Sequence, residues 1–324
     1  IGNPSQQRLN QTVIMRTLTA ADVIIDSGQS NLYHIDGPIE SYTLTVTFPP
    51  GKTVEEAGVA FELRVSNALD AYGHPAADSV IISAVSGASP APDGTRAILN
   101  NIGVSNGSGS SQQVLFRKES GVRLQGRSKV NSRTRTVSDF SVWHNTTIAR
   151  LDISGAPTTV QSEVAFTNPM VVRVYDPYGN IADTYNRTVT FGTTDPAAAR
   201  IALPANYQFE TDPNDNGQHS FSGSSFKLAT AGSQRIWVKE TTSTLADTTE
   251  PITVTPAAIK NYTITVNGGN SQVTAGTEFP IAITNAVDNA GNPANGTVAV
   301  AFLDDANNHK SASGVAPTLG AITV

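Results

Sequence analysis

Cysteine is absent from the 324-residue chain. A disulfide scaffold, an iron–sulfur site, a cysteine nucleophile and thiolate zinc ligation are therefore excluded, while the compartment stays open. Aromatic residues make up 6% of the chain and charged residues 15%. No apolar run approaches the ~20 residues that a membrane-spanning helix requires. The chain opens at Ile1 without the charged and apolar regions of an export signal, so any such signal is already removed or lies outside this sequence. A net charge of −6 argues against a dedicated nucleic-acid binder. Helical periodicity is missing as well.

What the chain does contain is β alternation. Tyr42–Val46, Phe61–Val65, Val172–Tyr175, Thr188–Phe191 and Tyr262–Val266 each place β-branched or aromatic residues at every second position. That period marks strands with one buried face. Gly, Pro, Asn and Asp clusters separate the runs, the pattern of an all-β sandwich. Three turn sequences resemble one another: Asp70–Ala76, Asp176–Ala182 and Asp288–Ala294. Asp accepts bonds from its own turn and Gly supplies positive φ, so these read as strand-connecting loops. Matching strands open at Ile39, Ile148 and Ile259, which are 109 and 111 residues apart. A repeat near 100 residues has the size of one immunoglobulin-like sandwich.

The stretch from Met170 to Glu240 resembles the bacterial immunoglobulin-like (Big/invasin-like) repeats of extracellular surface proteins and adhesins. The likeness is carried by Val172-Arg-Val-Tyr-Asp-Pro-Tyr-Gly-Asn180, Leu203–Phe209, Asn216–Phe221 and Ala231–Gln234. It covers the middle repeat well and the outer repeats loosely. The resemblance implies an extracellular or cell-surface location, a spacer or adhesive role and no catalysis.

The repeat frame divides the chain into N-terminal strands at 1–38, repeats at 39–147 and 148–258, and an incomplete repeat at 259–324. The third repeat stops near the counterpart of Val104. Gln11–Arg16, Val23–Ile25 and Leu32–Ile35 resemble the closing part of the first repeat, so each end supplies what the other lacks. One reading is a third sandwich split between the C-terminal part of one subunit and the N-terminal segment of another. Val13, Met15, Val23 and Ile25 would then bury against Ile264, Ile281, Val300 and Phe302. Such a contact is head-to-tail, works by strand addition, and propagates copies of the chain into a fibre, surface layer or sheath. The other reading is an excerpt of a long adhesin stalk or of a glycan-binding accessory region.

Chemistry-bearing residues are sparse. Asp212, Asn214 and Asn216 match the first half of a calcium loop, but the twelfth position is Gly223 rather than Glu. A hairpin with an Asn-Gly turn is the favoured reading there, and no other cofactor is implied. The five histidines are scattered, and no nucleophile elbow is present. No catalytic residue is expected. Trp143 is expected to pack at a domain junction, and Trp237 in the core or against a sheet. Residues 117–135 are basic. Within them Arg123, Arg127, Lys129, Arg133 and Arg135 read either as a docking face for an acidic neighbour or anionic surface glycan, or as a solvated strand face. Asn-x-Ser/Thr triplets, as at Asn106 and Asn145, arise readily in a chain rich in Asn and Thr.

Overall fold

The computed structural model describes residues 37–48, 54–210, 214–301, 314–315 and 318–324. Of Asn10–Gln11, Ile14–Leu18, Ile24–Gln29 and Tyr33–His34 it describes strand backbone only. Strands dominate. The helical turns among the described residues are two three-residue 3₁₀ turns, Gly223–Ser225 and Asn267–Gly269.

In the first repeat the strand Ala60–Leu69 pairs on one side with Ser41–Thr47 and on the other with Gly109–Val114. A second sheet runs Glu55–Glu56, Phe140–Trp143, Glu119–Ser128, Asp78–Ser86, Ile102–Val104, with Glu55–Glu56 parallel to its neighbour. Alternation aims one side chain in two at the other sheet. Tyr42, Leu44, Phe61, Leu63 and Val65 meet Val80, Ile82, Val122, Leu124, Phe140 and Val142 in one buried cluster. Phe61 and Phe140 bridge the sheets edge to face, with ring centroids 5.7 Å apart. The Tyr42 hydroxyl crosses the same gap and donates to the Gly126 carbonyl at 2.5 Å. Two mainly antiparallel sheets packed face to face, with this strand order, are the immunoglobulin-like β-sandwich arrangement.

The second repeat repeats the plan. Arg150–Ser154, Met170–Tyr175 and Gln218–Phe221 form one sheet, and Tyr207–Gln208, Thr188–Thr193, Ile236–Glu240 and Ala246–Thr248 form the facing one. Phe191 meets Phe221 across the gap at 4.8 Å. In the second sheet Gly192 lies directly opposite Trp237, whose indole lies over the position a Cβ would take. Trp237 is thus a sheet-packing residue.

The described part of the third repeat is smaller. Asn261–Val266 pairs with Ile281–Val287, and Thr297–Val298 pairs with Ile322–Thr323. The Val298–Ile322 pairing has the register of Val80–Ile102 in the first repeat. The chain divides into two compact units: Ile1–Ile148 with Tyr175–Ala182, and Ala149–Val174 with Asp183–Val324.

Candidate functional site: the repeat loops and the third-repeat face

The three Asp-x-x-Gly loops fold alike because one carboxylate organises each. Asp70 Oδ1 accepts the amides of Tyr72 and His74 at 2.8 and 2.9 Å. Asp176 Oδ1 accepts those of Tyr178 and Asn180, both at 2.9 Å. Asp288 Oδ1 does the same for Ala290 and Asn292, again at 2.9 Å. The glycine amide returns to the Asp carbonyl at 3.2 Å in all three.

The second and third loops also reach outward. Within the first unit, Asn180 donates its side-chain amide to the Phe116 carbonyl at 2.9 Å and accepts the Lys118 amide at 2.8 Å. Asp176 Oδ2 accepts the Asn145 amide at 2.8 Å. Within the second unit, Asn292 donates to the Ala229 carbonyl at 2.8 Å and accepts the Ala231 amide at 2.8 Å, while Asp288 Oδ2 accepts the Ala257 amide at 2.9 Å. In each case one carboxamide mimics a strand residue, pairing with a carbonyl and an amide two positions apart on the preceding repeat's backbone. The Asp holds the segment that leads into its own repeat.

The second and third loops each rest on a one-residue turn with positive φ. For the second loop it is Gly58, with φ 78°. A Cβ at Gly58 would overlap the Tyr178 ring and hydroxyl. That ring also meets Phe116 edge to face at 4.9 Å. For the third loop the turn residue is Glu163, with φ 62°. Ala290 takes the place of Tyr178 there, and Asn289 donates to Glu163 Oε2 at 2.6 Å. The motif reading treats these loops as strand connectors only. It misses the docking role of Asn180 and Asn292, for which the sole sequence signal is a carboxamide in the fifth loop position.

Three described apolar side chains on the first strand of the third repeat lie open. Tyr262, Ile264 and Val266 are 42%, 50% and 43% exposed, whereas their counterparts Tyr42 and Leu44 are 4% and 7% exposed. Ile281 and Val300 are half-buried. Phe302, Val13 and Val23 lie outside the described residues, as do the side chains of Met15 and Ile25.

Asp212 also lies outside the described residues. Asn214 donates to Glu210 at 2.5 Å, and Asn216 and Gly217 form a turn with φ 53° and 70°. The neighbouring Asp215 is taken up by the Tyr207 hydroxyl, the Glu210 amide and His219 Nδ1. Among the described residues no three His, Asp or Glu side chains are grouped to hold a metal ion. Of the basic residues, Arg123 and Arg127 lie on the strand Glu119–Ser128 and Arg135 on its partner Thr134–Thr136. Arg123 pairs with Asp139 at 2.7 Å, Arg133 pairs with Glu40, and Arg135 donates to the Tyr42 carbonyl while lying over the Tyr42 ring. Arg127 donates to the Ser132 hydroxyl, and Lys129 is exposed. Two of the five cations are thus matched locally by acids. Trp143, expected at a junction, is 53% exposed. It ends the strand Phe140–Trp143, whose inward positions are Phe140 and Val142, so alternation turns its indole outward.

Several buried carboxylates are held ionised. Burial pushes the Asp195 carboxyl up, but the Thr230 hydroxyl and the amides of Ala229, Ala197 and Thr230 bring it below its ordinary range. For Glu240, burial is outweighed by Thr242 and Arg187. For Asp288, burial is outweighed by Asn292 and the amides of Ala257, Asn292 and Ala290. A depressed folded pKa contributes stability that is present above the unfolded value, near 4, and lost as pH falls through the folded value. Thermal melts should be nearly flat from about pH 7 to 5 and fall below about pH 4. Asp195→Asn should shrink that acid loss; an unchanged acid limb would refute the assignment to Asp195.

No family model matches the chain, and no curated protein matches it. Among solved structures, the D0–D1 domain of intimin aligns with 66% of this chain and 97% of its own, at 15% identity and a TM-score of 0.24. An E. coli alpha-2-macroglobulin aligns with 80% of this chain and 20% of its own, at 12% identity and TM-score 0.29. A chimeric titin Z1Z2 tandem aligns with 66% and 98%, at 14% identity and TM-score 0.17. Superpositions this loose carry no functional argument. On its own sheet order, register and inter-sheet core, the chain is an all-β protein built of β-sandwiches in tandem.

Proposed function

We propose that the chain is a non-catalytic structural subunit of an extracellular fibre or surface layer, assembling head-to-tail by strand complementation. The observation behind this reading is the open face of the third repeat. Tyr262, Ile264 and Val266 are 42–50% exposed at positions where a complete repeat buries its apolar side chains. Covering the exposed half of each such side chain is worth on the order of 1 kcal/mol. Residues 11–35 have the sequence of closing strands, and supplied by another copy they would cover this face. The second and third Asp-x-x-Gly loops bond the backbone of the preceding repeat, a contact that suits a filament of tandem modules.

Deleting residues 1–35 tests the reading. The full chain should form ordered polymer visible in electron micrographs. The deleted chain should stay soluble, fail to polymerise, and bind a synthetic peptide of residues 11–35. Normal polymerisation of the deleted chain would overturn the mechanism.

A further inference from the structure

Among the described residues, two loops and two turn residues are matched, and one of each is left over. The first loop carries Tyr72, 47% exposed, in the place of Tyr178. The unmatched turn is Gly276. Its φ is 79°, beside 78° for Gly58 and 62° for Glu163. The following amide bonds back across the turn in all three: Val59 to Glu56 at 3.0 Å, Val164 to Gln161 at 3.1 Å and Thr277 to Thr274 at 3.1 Å. A phenylalanine follows three positions later each time, at Phe61, Phe166 and Phe279.

The matched pairs are keyed by size. Glycine at 58 leaves the space that the Tyr178 ring fills, whereas Glu163 meets a loop with alanine in that place and Asn289 beside it. Gly276 is the glycine type, and a Cβ there meets no heavy atom of the described residues within 4 Å. Tyr72 is the tyrosine type. We infer that Tyr72 of one copy docks over Gly276 of a second copy, so that the loop Asp70–Ala76 and the turn Thr274–Thr277 form the junction between successive subunits. This rests on the head-to-tail reading and adds a protein–protein contact to it beyond the donated strands. The sequence counterpart of Phe116 in the N-terminal strands is Met15, by alignment of Gln11-x-Val-x-Met15-Arg with Gln112-x-Val-x-Phe116-Arg. A thioether can flank a tyrosine ring as Phe116 flanks Tyr178. A charged turn residue at 276 would shut out Tyr72, as Glu163 would shut out Tyr178.

The absence of cysteine makes the test clean. One batch carries Tyr72→Cys and another Gly276→Cys, with Thr274→Cys as a second attachment point should the turn reject a side chain. The batches are mixed, allowed to assemble and treated with a short bis-maleimide. A control chain carrying Gly58→Cys and Tyr178→Cys should cross-link within itself. The expected result is a covalent dimer in the mixture and none in either batch alone. Gly276→Glu should lower the yield of polymer severalfold, and Tyr72→Ala in the same chain should restore it. Assembled material without the dimer, while the control cross-links, overturns this junction and leaves strand complementation standing. No assembled material from the unmodified chain overturns both.

Discussion

Asp288→Ala should destabilise the second unit by about 3–5 kcal/mol, because four donors lose one buried acceptor. Asp288 is 1% exposed. Its Oδ1 accepts the amides of Ala290 and Asn292, and its Oδ2 accepts the Ala257 amide and the Asn292 side chain. Water cannot replace the carboxylate without opening the loop. Once the loop opens, Asn292 loses its bonds to Ala229, Ala231 and Ser162. Asp288→Asn should recover little, since its NH₂ would face donors. Urea unfolding measures the loss, and hydrogen exchange at Ala257 and Ala231 locates it. A shift under about 1 kcal/mol would mean that the carboxylate does not hold this junction.

Gly192→Val should cost about 3 kcal/mol, although valine is a strong strand former and glycine a weak one. The residue is buried in a strand, directly opposite Trp237. The indole occupies the space a Cβ would need, so the valine must displace the ring or distort the ladder. Trp237→Ala removes the obstacle. The double variant should therefore be markedly more stable than the two single losses added together, a coupling that denaturant melts of the four proteins would reveal. Simple additivity would show that the ring yields without strain.

Much of the fold was legible in the sequence because strand alternation is a local property. Tyr42, Leu44, Phe61, Leu63 and Val65 all point inward as their spacing requires. The three Asp-x-x-Gly loops were found by their residues, since an Asp that caps its own turn needs no distant partner. Trp143 went the other way. An indole before His144-Asn-Thr-Thr reads as a junction residue, but its register in the strand, one position after buried Val142, turns it to solvent.

Sequence by itself determined the all-β class, the inward faces and the internal form of the loops, all of which depend on residues a few positions apart, and its self-similarity marked a repeat near 110 residues. Tertiary structure decided what the loops touch. Asn180 reaches Phe116 and Lys118, 64 and 62 residues away, and Asn292 reaches Ala229 and Ala231, 63 and 61 residues away. It also decided that Gly58 faces Tyr178 while Glu163 faces Asn289. A carboxamide looks the same in a sequence whether it meets water or a backbone edge. Which of the two it meets is fixed only when a folded sandwich places an unpaired carbonyl and amide within its reach.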